Sequence, residues 1–589
     1  MPASRFVVGI DLGTTNSVLA WVDTATGDTP DAAAVHVLEV PQLVKAGEAA
    51  ARERLPSFLY LPAPNEFPAG SLALPWGTGD RVVGELARAR GAEVPGRVVA
   101  SAKSWLCSVG VDRTGAILPW NAPEDVPRVS PLAASAAFLA HLRAAWDAAM
   151  PEPLAAQELY LAVPASFDAA ARDLTIRAAA DAGLGAAHLI EEPQAAVYAW
   201  LAARASEWRN DVKVGDVILV CDVGGGTTDL SLVAVGEENG SLVLERKAVG
   251  DHLLLGGDNM DLALAHAVRA KLGTTLDEWQ FRGLVHAARD AKEKLLAVGG
   301  KAKEPVVVLG RSRKVVGGAV RTDLARADVE ASLVDGFFPV VPAGEGPRAA
   351  RRTALQELGL PYAADPAITR HVAGFVARHR DVAPDGITAV LFNGGVMRSD
   401  VLRKRMADVL SAWQQTPVRI LAGTHPYLAV AQGAATYGLA RRGRGVRIRG
   451  GTARAYYVGV ESAAPAVPGM RAPVKALCLA PFGMEEGSEV ELPGAEFGLV
   501  VGEPAEFLFF GSSVRRDDRP GTVVEGWPAG ELEELAPLEA TLDAAGENGR
   551  TVPVRLQATL TELGTLELWC VARDRDRRWK VEFSTRQAS

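Results

Sequence analysis

An α/β domain followed by a smaller all-β domain is the architecture this sequence predicts, and three observations carry it. Apolar strand-like runs alternate with Ala-rich helical stretches as far as about Arg442. Beyond Arg442, helical periodicity gives way to short alternating runs punctuated by Gly, Pro and Asp. The length of 589 residues is too great for one core, and at roughly 150 residues per domain it accommodates two to four folding units.

Composition excludes several classes. With 48% hydrophobic and 23% charged residues the chain lacks the apolar depletion of disorder. A net charge of -9 gains little from counterion release on a phosphate backbone, which argues against a general nucleic-acid binder. The four cysteines, Cys107, Cys221, Cys478 and Cys570, are scattered and form no C-x-x-C pair, the usage of a reducing compartment without structural zinc. The start "MPASRFVVGID" carries no apolar leader, and no run reaches about 18 uninterrupted apolar residues. A cytoplasmic protein without membrane or nucleic-acid partners is the expectation.

The elements follow in order. "GIDLGTTNSVLAW", from Gly9, reads as two strands around a turn rich in Gly, Thr and Asn. "SPLAASAAFLAHLRAAWDAAM", from Ser130, and "FDAAARDLTIRAAADAGL", from Phe167, read as helices, the second with an Asp near its start and a Gly past its end. "ELYLAVP", "VILVCDV" and "AVLFNGG" read as strands, and strands separated by helices imply buried sheets. Phe337 to Ala367 reads as an irregular, partly helical excursion. In the tail, "ARAYYVGVE", "AEFLFFGSS", "VPVRLQATLTEL", "TLELWCVARD" and "RWKVEFS" read as strands of a small β unit. The domain boundary falls near Arg441 to Tyr457.

The first hairpin has a twin. "LVCDVGGGTTDLSLVAV", from Leu219, repeats its scheme of strand, Asp, Gly, a Thr pair and a second strand. One such hairpin is most simply structural; two, at corresponding points of two halves of one domain, are not coincidence. Glycines let successive N–H groups approach an anion, and Thr hydroxyls add donors. An Asp beside them would repel phosphate directly but suits hydrated magnesium. Asp11 and Asp222 occupy matching places, so the hairpins could clamp a polyphosphate with magnesium between them.

On these residues the chain resembles the actin-like ATPase superfamily and, within it, the heat shock protein 70 (DnaK-like) chaperones. "GIDLGTTNS" and "CDVGGGTTDLS" match the family's two phosphate motifs, "LIEEPQAAVYAW" its connecting motif, "LFNGGVMRS" its adenosine motif and "VGDHLLLGGDNMD" its Gly-Gly segment. The resemblance covers residues 5 to 442, and it implies a two-lobed ATPase domain with ribonuclease H-like subdomains over residues 1–442. A basic linker over 443–456 and a sandwich-like β domain over 457–589 complete the expected organisation.

The resemblance also implies roles. Lys103 is the catalytic lysine that orients the attacking water, and Glu192 orders magnesium and water in its outer shell; Glu191 beside it is structural. Asp11 and Asp222 reach magnesium through water. Gly13, Thr14, Thr15, Asn16, Gly224, Gly225, Gly226 and Thr227 contact phosphates, with Asp229 in the same water network. Gly256, Gly257, Lys292, Gly394, Gly395 and Arg398 hold the nucleoside, with Arg398 on the base. The implied cofactors are ATP/ADP and Mg2+, with K+ as a further ion. Arg172 matches a position that meets a J-domain co-chaperone, with an exposed helix arginine as its simpler reading.

Departures lie in the base pocket, where Arg289 stands for a usual Glu, Leu296 for Ser and Tyr427 for Asp. The linker "GRGVRIRGGTARAYYVG" is basic and nearly leucine-free, and the chain ends at "FSTRQAS" where a helical lid would follow. The expected function is an ATP-hydrolysing, lidless bacterial chaperone acting in protein folding and stress response on unfolded or partner polypeptide, with a nucleotide exchange factor as a further partner. The alternatives are a nucleotide-dependent scaffold with one dedicated partner and, more distantly, a small-molecule kinase.

Overall fold

The strands Phe6–Leu12 and Asn16–Asp23 pair antiparallel around the turn 13–15, and Val217–Val223 pairs with Thr228–Glu238 around the turn 224–227. In this computed structural model the described residues are 4–584 apart from 26–33, 109, 166, 239–240, 251–252, 274, 298, 309–319, 349–359, 361, 415, 449–451, 453, 462–472, 486, 494–495, 513, 516, 529–530, 536–537, 544–548, 562–564 and 574–576. They divide into two compact units. The first comprises Met1–Leu242 with Ala248–Arg447, and the second Val243–Lys247 with Ile448–Ser589. The division falls inside the stretch 443–456, and the strand Ala455–Glu461 begins two residues before 457.

Each hairpin seeds one lobe of the first unit. The first sheet runs Ala187–Glu191, Glu158–Val163, Phe6–Leu12, Asn16–Asp23, His36–Val37, and the second includes, in order, Arg419–Ile420, Ala389–Asn393, Val217–Val223, Thr228–Glu238. The central strand of each is antiparallel to its hairpin mate and parallel to the next strand on its other side. Separate apolar cores back the two sheets, one around Phe6, Val8, Phe138 and Trp146, the other around Leu219, Leu264, Phe338 and Phe392.

The helices form where the sequence signals them. Pro131–Ala149 is capped by the Ser130 side chain accepting from the Ala133 N–H, and Ala169–Asp181 by Asp168 accepting from the Ala171 N–H. Two further helices, Glu192–Arg204 and Ala429–Arg441, pack on each other and on the sheets. Their small residues permit this: a Cβ on Gly433 would lie 1.7 Å from the carbonyl oxygen of Ala195. Of the stretch 337–367, residues 349–359 and 361 lie outside the described residues, and those described after Phe337 form neither helix nor strand.

The described part of the second unit is antiparallel β. One sheet runs Val523–Val524, Val474–Ala480, Ala455–Glu461, Phe509–Ser512, Glu533–Glu534; another runs Ser488–Glu491, Arg550–Leu560, Thr565–Ala572, Arg578–Ser584, with Phe497–Val501 also on Arg550–Leu560. Tyr456, Val458 and Leu479 of the first share a core with Val554, Leu568 and Val581 of the second. The run "AEFLFFGSS" is broken at Leu508 into Pro504–Phe507, which pairs with Leu538–Thr541, and Phe509–Ser512, which stays in the first sheet.

Candidate functional site

The two turns meet across a cleft between the lobes of the first unit. A Cβ on Gly225 would fall 2.0 Å from Thr15 Oγ1, so only glycine lets the turns come this close. Each turn is held from behind. Ser57 Oγ donates to the Gly13 carbonyl at 2.7 Å, and the Ser57 N–H to that of Thr15 at 2.9 Å. On the other side, the N–H groups of Gly257 and Asp258 donate to the carbonyls of Gly224 and Gly225 at 3.0 and 2.7 Å.

The cleft wall contains Asp11, Gly13, Thr14, Thr15, Asn16, Lys103, Glu192, Asp222, Gly224, Gly225, Thr227, Gly257, Lys292, Gly394, Gly395 and Arg398. Three expected residues sit just behind it. Gly226 lies against Ser104 and Thr14, Gly256 against the carbonyls of Gly224 and Gly225, and Asp229 is buried opposite Asp222 in the hairpin.

Charge is concentrated where the two turns meet Lys103 and Glu192. Lys103, on the short helix Ala102–Leu106, forms a buried ion pair with Glu192, the first residue of the helix Glu192–Arg204. Burial opposes the ammonium, yet its pKa stays above the usual lysine value because Glu192, Asp11 and Asp229 surround it. Burial pushes the Asp11 carboxyl up to about 7, with Lys103 pulling down and Glu192 pushing up. Asp222 is driven well above the carboxylate range by burial and then by Glu192, while a hydrogen bond from Asn393 Nδ2 to its Oδ2 at 2.5 Å works the other way. Neighbouring Glu191 faces elsewhere, 3.8 Å from the Arg172 guanidinium. Arg172 is therefore not an exposed helix arginine: its side chain is 11% exposed.

The other end of the cleft carries an ion-pair network that the motifs did not point to. Asp261 is flanked by Lys292 Nζ and Arg289 Nε, each at 2.6 Å, and Arg289 also ion-pairs with Asp258. Asp258 in turn accepts from Ser101 Oγ at 2.7 Å, a bond that crosses the cleft. Burial raises the Asp261 pKa, but Lys292 and Arg289 outweigh it and hold the carboxyl below its ordinary range. The spacing offered a signal: Asp258 and Asp261 lie three apart on the helix Gly257–Leu272, as do Arg289 and Lys292 on Glu278–Leu296, so each pair shares a helix face. Leu296, Leu333, Leu402 and Val396 make the far wall apolar. Tyr427 closes it, with the Arg54 and Arg398 guanidinium carbons 4.3 and 4.8 Å from its ring centre.

Glycine-lined turns, threonine hydroxyls, a buried lysine and hard oxygen donors from Asp11, Asp222 and Glu192 fit a magnesium-bound polyphosphate in chemical type. A bare buried amide oxygen, Asn393 Oδ1, faces no hydrogen-bond partner among the described residues and leaves an acceptor available to such a group. Two lobes with repeated phosphate-type hairpins around one cleft define an actin-like ATPase fold.

Comparison with known proteins narrows the class. A family model described as Hsp70 protein matches residues 78–331. A Chaperone protein HscA homolog of Methylococcus capsulatus (strain Bath) is 30% identical over 448 residues, which is 74% of this chain and 58% of that protein. The homologs of Burkholderia multivorans and Pseudomonas aeruginosa PAO1 are 32% and 31% identical, each over 49% of this chain and 42% of theirs. The chain belongs to the heat shock protein 70 family. It spans about half the length of the curated relatives it matches. Among the described residues, no helix is long and apolar enough to cross a membrane.

Proposed function

We propose that this chain is an ATP-dependent chaperone of the heat shock protein 70 type, which binds and hydrolyses ATP between the lobes and thereby governs polypeptide binding by residues 457–589. The observation that carries the reading is the pair of facing hairpins with the buried Lys103–Glu192 pair between Asp11 and Asp222. The resemblance to the family and the chaperone names of the relatives support it.

In this reading the turn N–H groups and the hydroxyls of Thr14, Thr15 and Thr227 bind phosphate oxygens. Lys103 Nζ orients the attacking water and offsets charge on the γ-phosphate, while Glu192 holds Lys103 in place. Bound magnesium supplies neutralisation of the phosphates, and Asp11, Asp222 and Glu192 are the residues that would hold its hydration shell. Positioning and charge stabilisation of this kind suffice for slow hydrolysis without a strong base. Lys292, Arg398 and the apolar wall take the nucleoside. Residues 457–589 are assigned a sandwich-like polypeptide-binding role, and J-domain and exchange-factor partners belong to the same reading.

Coupling between ATP and polypeptide is a difference in affinity between two arrangements of the protein, and it must be reciprocal. The test measures ATP affinity of the full chain with and without an unfolded client such as reduced carboxymethylated lactalbumin, and client affinity with and without ATP. Matching shifts in both directions support the chaperone. Tight ATP binding with no effect on any unfolded chain, and capture of a single folded partner through residues 457–589, would replace it with the scaffold reading.

A further inference from the structure

The two sheets of the first unit have the same order, so matched positions can be compared directly. Asp11 lies between Val18 on the antiparallel side and Ala162 on the parallel side. Asp222, its counterpart, lies between Asp229 and Asn393. Residues opposite one another in register share a face, so each trio is one row across its sheet. Where the first row has two hydrocarbon neighbours, the second has an acid and an amide, and burying those is costly unless something partners them.

Asn393 is 2% exposed and lines the cleft at the end of the strand Ala389–Asn393. The amide is turned with Nδ2 toward the acid, donating to Asp222 Oδ2 at 2.5 Å. That leaves Oδ1 without a hydrogen-bond partner among the described residues. A buried amide oxygen in that condition calls for a ligand or an ordered water.

The charges around the two acids differ as well. Asp11 has the Lys103 ammonium among its close charges, whereas those acting most strongly on Asp222 are the carboxylates Glu192, Asp229 and Asp11. Asn393 is the neutral donor set against those three acids.

We propose that Asn393 is a positioning residue for the magnesium–nucleotide complex: Nδ2 aims the Asp222 carboxylate at the hydrated ion, and Oδ1 accepts a hydrogen bond from a water of its shell. The twin acids then meet the hydrated ion from different surroundings, Asp11 beside the Lys103 ammonium and Asp222 beside the Asn393 amide. This inference rests on the nucleotide reading of the cleft.

The test is calorimetric titration of the full chain with ADP in millimolar Mg2+ and in EDTA, for wild type, Asn393→Leu and Asn393→Ser. Leucine has similar size and no polar atom; serine keeps a donor toward Asp222 but lacks a separate amide oxygen for the water. Removing partners that orient metal-binding groups typically weakens metal affinity about 10–100-fold. The expected result is that Asn393→Leu loses at least about tenfold of the affinity that Mg2+ adds, with ADP affinity in EDTA unchanged, and that Asn393→Ser falls between. If Asn393→Leu does not unfold cooperatively, Asn393→Ser alone decides, with a reduced Mg2+ gain expected. An unchanged Mg2+ gain, or an equal loss with and without Mg2+, overturns the inference while leaving the nucleotide reading standing. Wild type binding ADP no better with Mg2+ than in EDTA overturns both.

Discussion

Replacing Lys103 by alanine separates chemistry from binding and tests the phosphate end of the cleft at its most charged point. Lys103 is 8% exposed and ion-paired with Glu192, itself 8% exposed, and Asp11 and Asp229 also lean on its charge. Its loss leaves the buried Glu192 and the half-buried Asp11 without that cation. Breaking a buried pair from one side costs about 3–5 kcal/mol of stability, because the partner charge is stranded. Asp11, already pushed up to about 7 with the ammonium present, would then stay protonated at neutral pH. In catalysis, loss of one preorganised charge at the reacting group costs about 3–4 kcal/mol, or 10²- to 10³-fold in turnover. ADP lacks the γ-phosphate that Lys103 serves in the proposed mechanism, so its affinity should hold within about threefold, under 1 kcal/mol. Phosphate release at saturating ATP, ADP calorimetry and urea unfolding of the full chain supply the three readings. Adding Glu192→Gln to Lys103→Ala removes the stranded charge and should recover about 2 kcal/mol of stability without recovering hydrolysis. Wild-type turnover in Lys103→Ala would remove Lys103 from the mechanism, and strictly additive stability losses would show that the two residues are not one unit.

Two predictions concern the frame of the site. Gly433→Ala places a methyl 1.7 Å from a backbone oxygen, which cannot swing aside as a side chain would, so the helices Glu192–Arg204 and Ala429–Arg441 must separate. A loss of about 3 kcal/mol, the upper end of the usual overpacking cost, is expected in urea unfolding, and an unchanged midpoint would refute the close packing. His141 is buried with Nε2 2.9 Å from the Pro41 carbonyl, and burial pushes its pKa down to about 4 from 6.5, the carbonyl partly offsetting. The folded state thus favours the neutral ring. Its contribution is complete above pH 6.5 and lost as pH falls toward 4, about 2 kcal/mol of that loss arriving by pH 5. His141→Gln should flatten this part of the stability profile between pH 7 and 5; an unaltered acid-side slope would show that His141 is not the group responsible.

What the sequence made legible was local. Ser130 and Asp168 mark helix starts because a side-chain oxygen three residues before an orphan N–H is a short-range device. The hairpins are legible for the same reason, since turn chemistry and strand alternation lie within about fifteen residues. The contacts that give the cleft its electrostatics are not local. Asp222 and Asn393 are 171 residues apart and meet only through the register of two parallel strands. Ser101 and Asp258 are 157 apart and meet only because the lobes face each other. Arg172 reads as a solvated helix residue from its neighbours alone, whereas Glu191, which it approaches at 3.8 Å, lies 19 positions on at the end of the strand Ala187–Glu191. The break at Leu508 escaped for a related reason: alternation shows that a run is strand-like, while partner strands decide whether it is one strand or two.

The cross-cleft bond bears on how occupancy of one end could reach the chemistry at the other. The helix carrying Lys103 has only five residues, too few to hold itself in place, so its position depends on what ties its ends. One tie is the ion pair with Glu192. The other is Ser101, immediately before the helix, whose backbone sits at φ 53 and whose hydroxyl donates to Asp258 in the opposite lobe. A left-handed serine is a cost that surrounding contacts must offset, and the Asp258 bond is the contact on its side chain. Asp258 is also fixed by Arg289, which shares Asp261 with Lys292. Lys292 is thus linked, through Asp261, Arg289 and Asp258, to the residue two places before Lys103. In the family's usual pattern the place of Arg289 belongs to an acid, which could not bridge two aspartates. Arg289, the residue that departs from the family's pattern, is the one that joins Asp261 to Asp258 and so to Ser101.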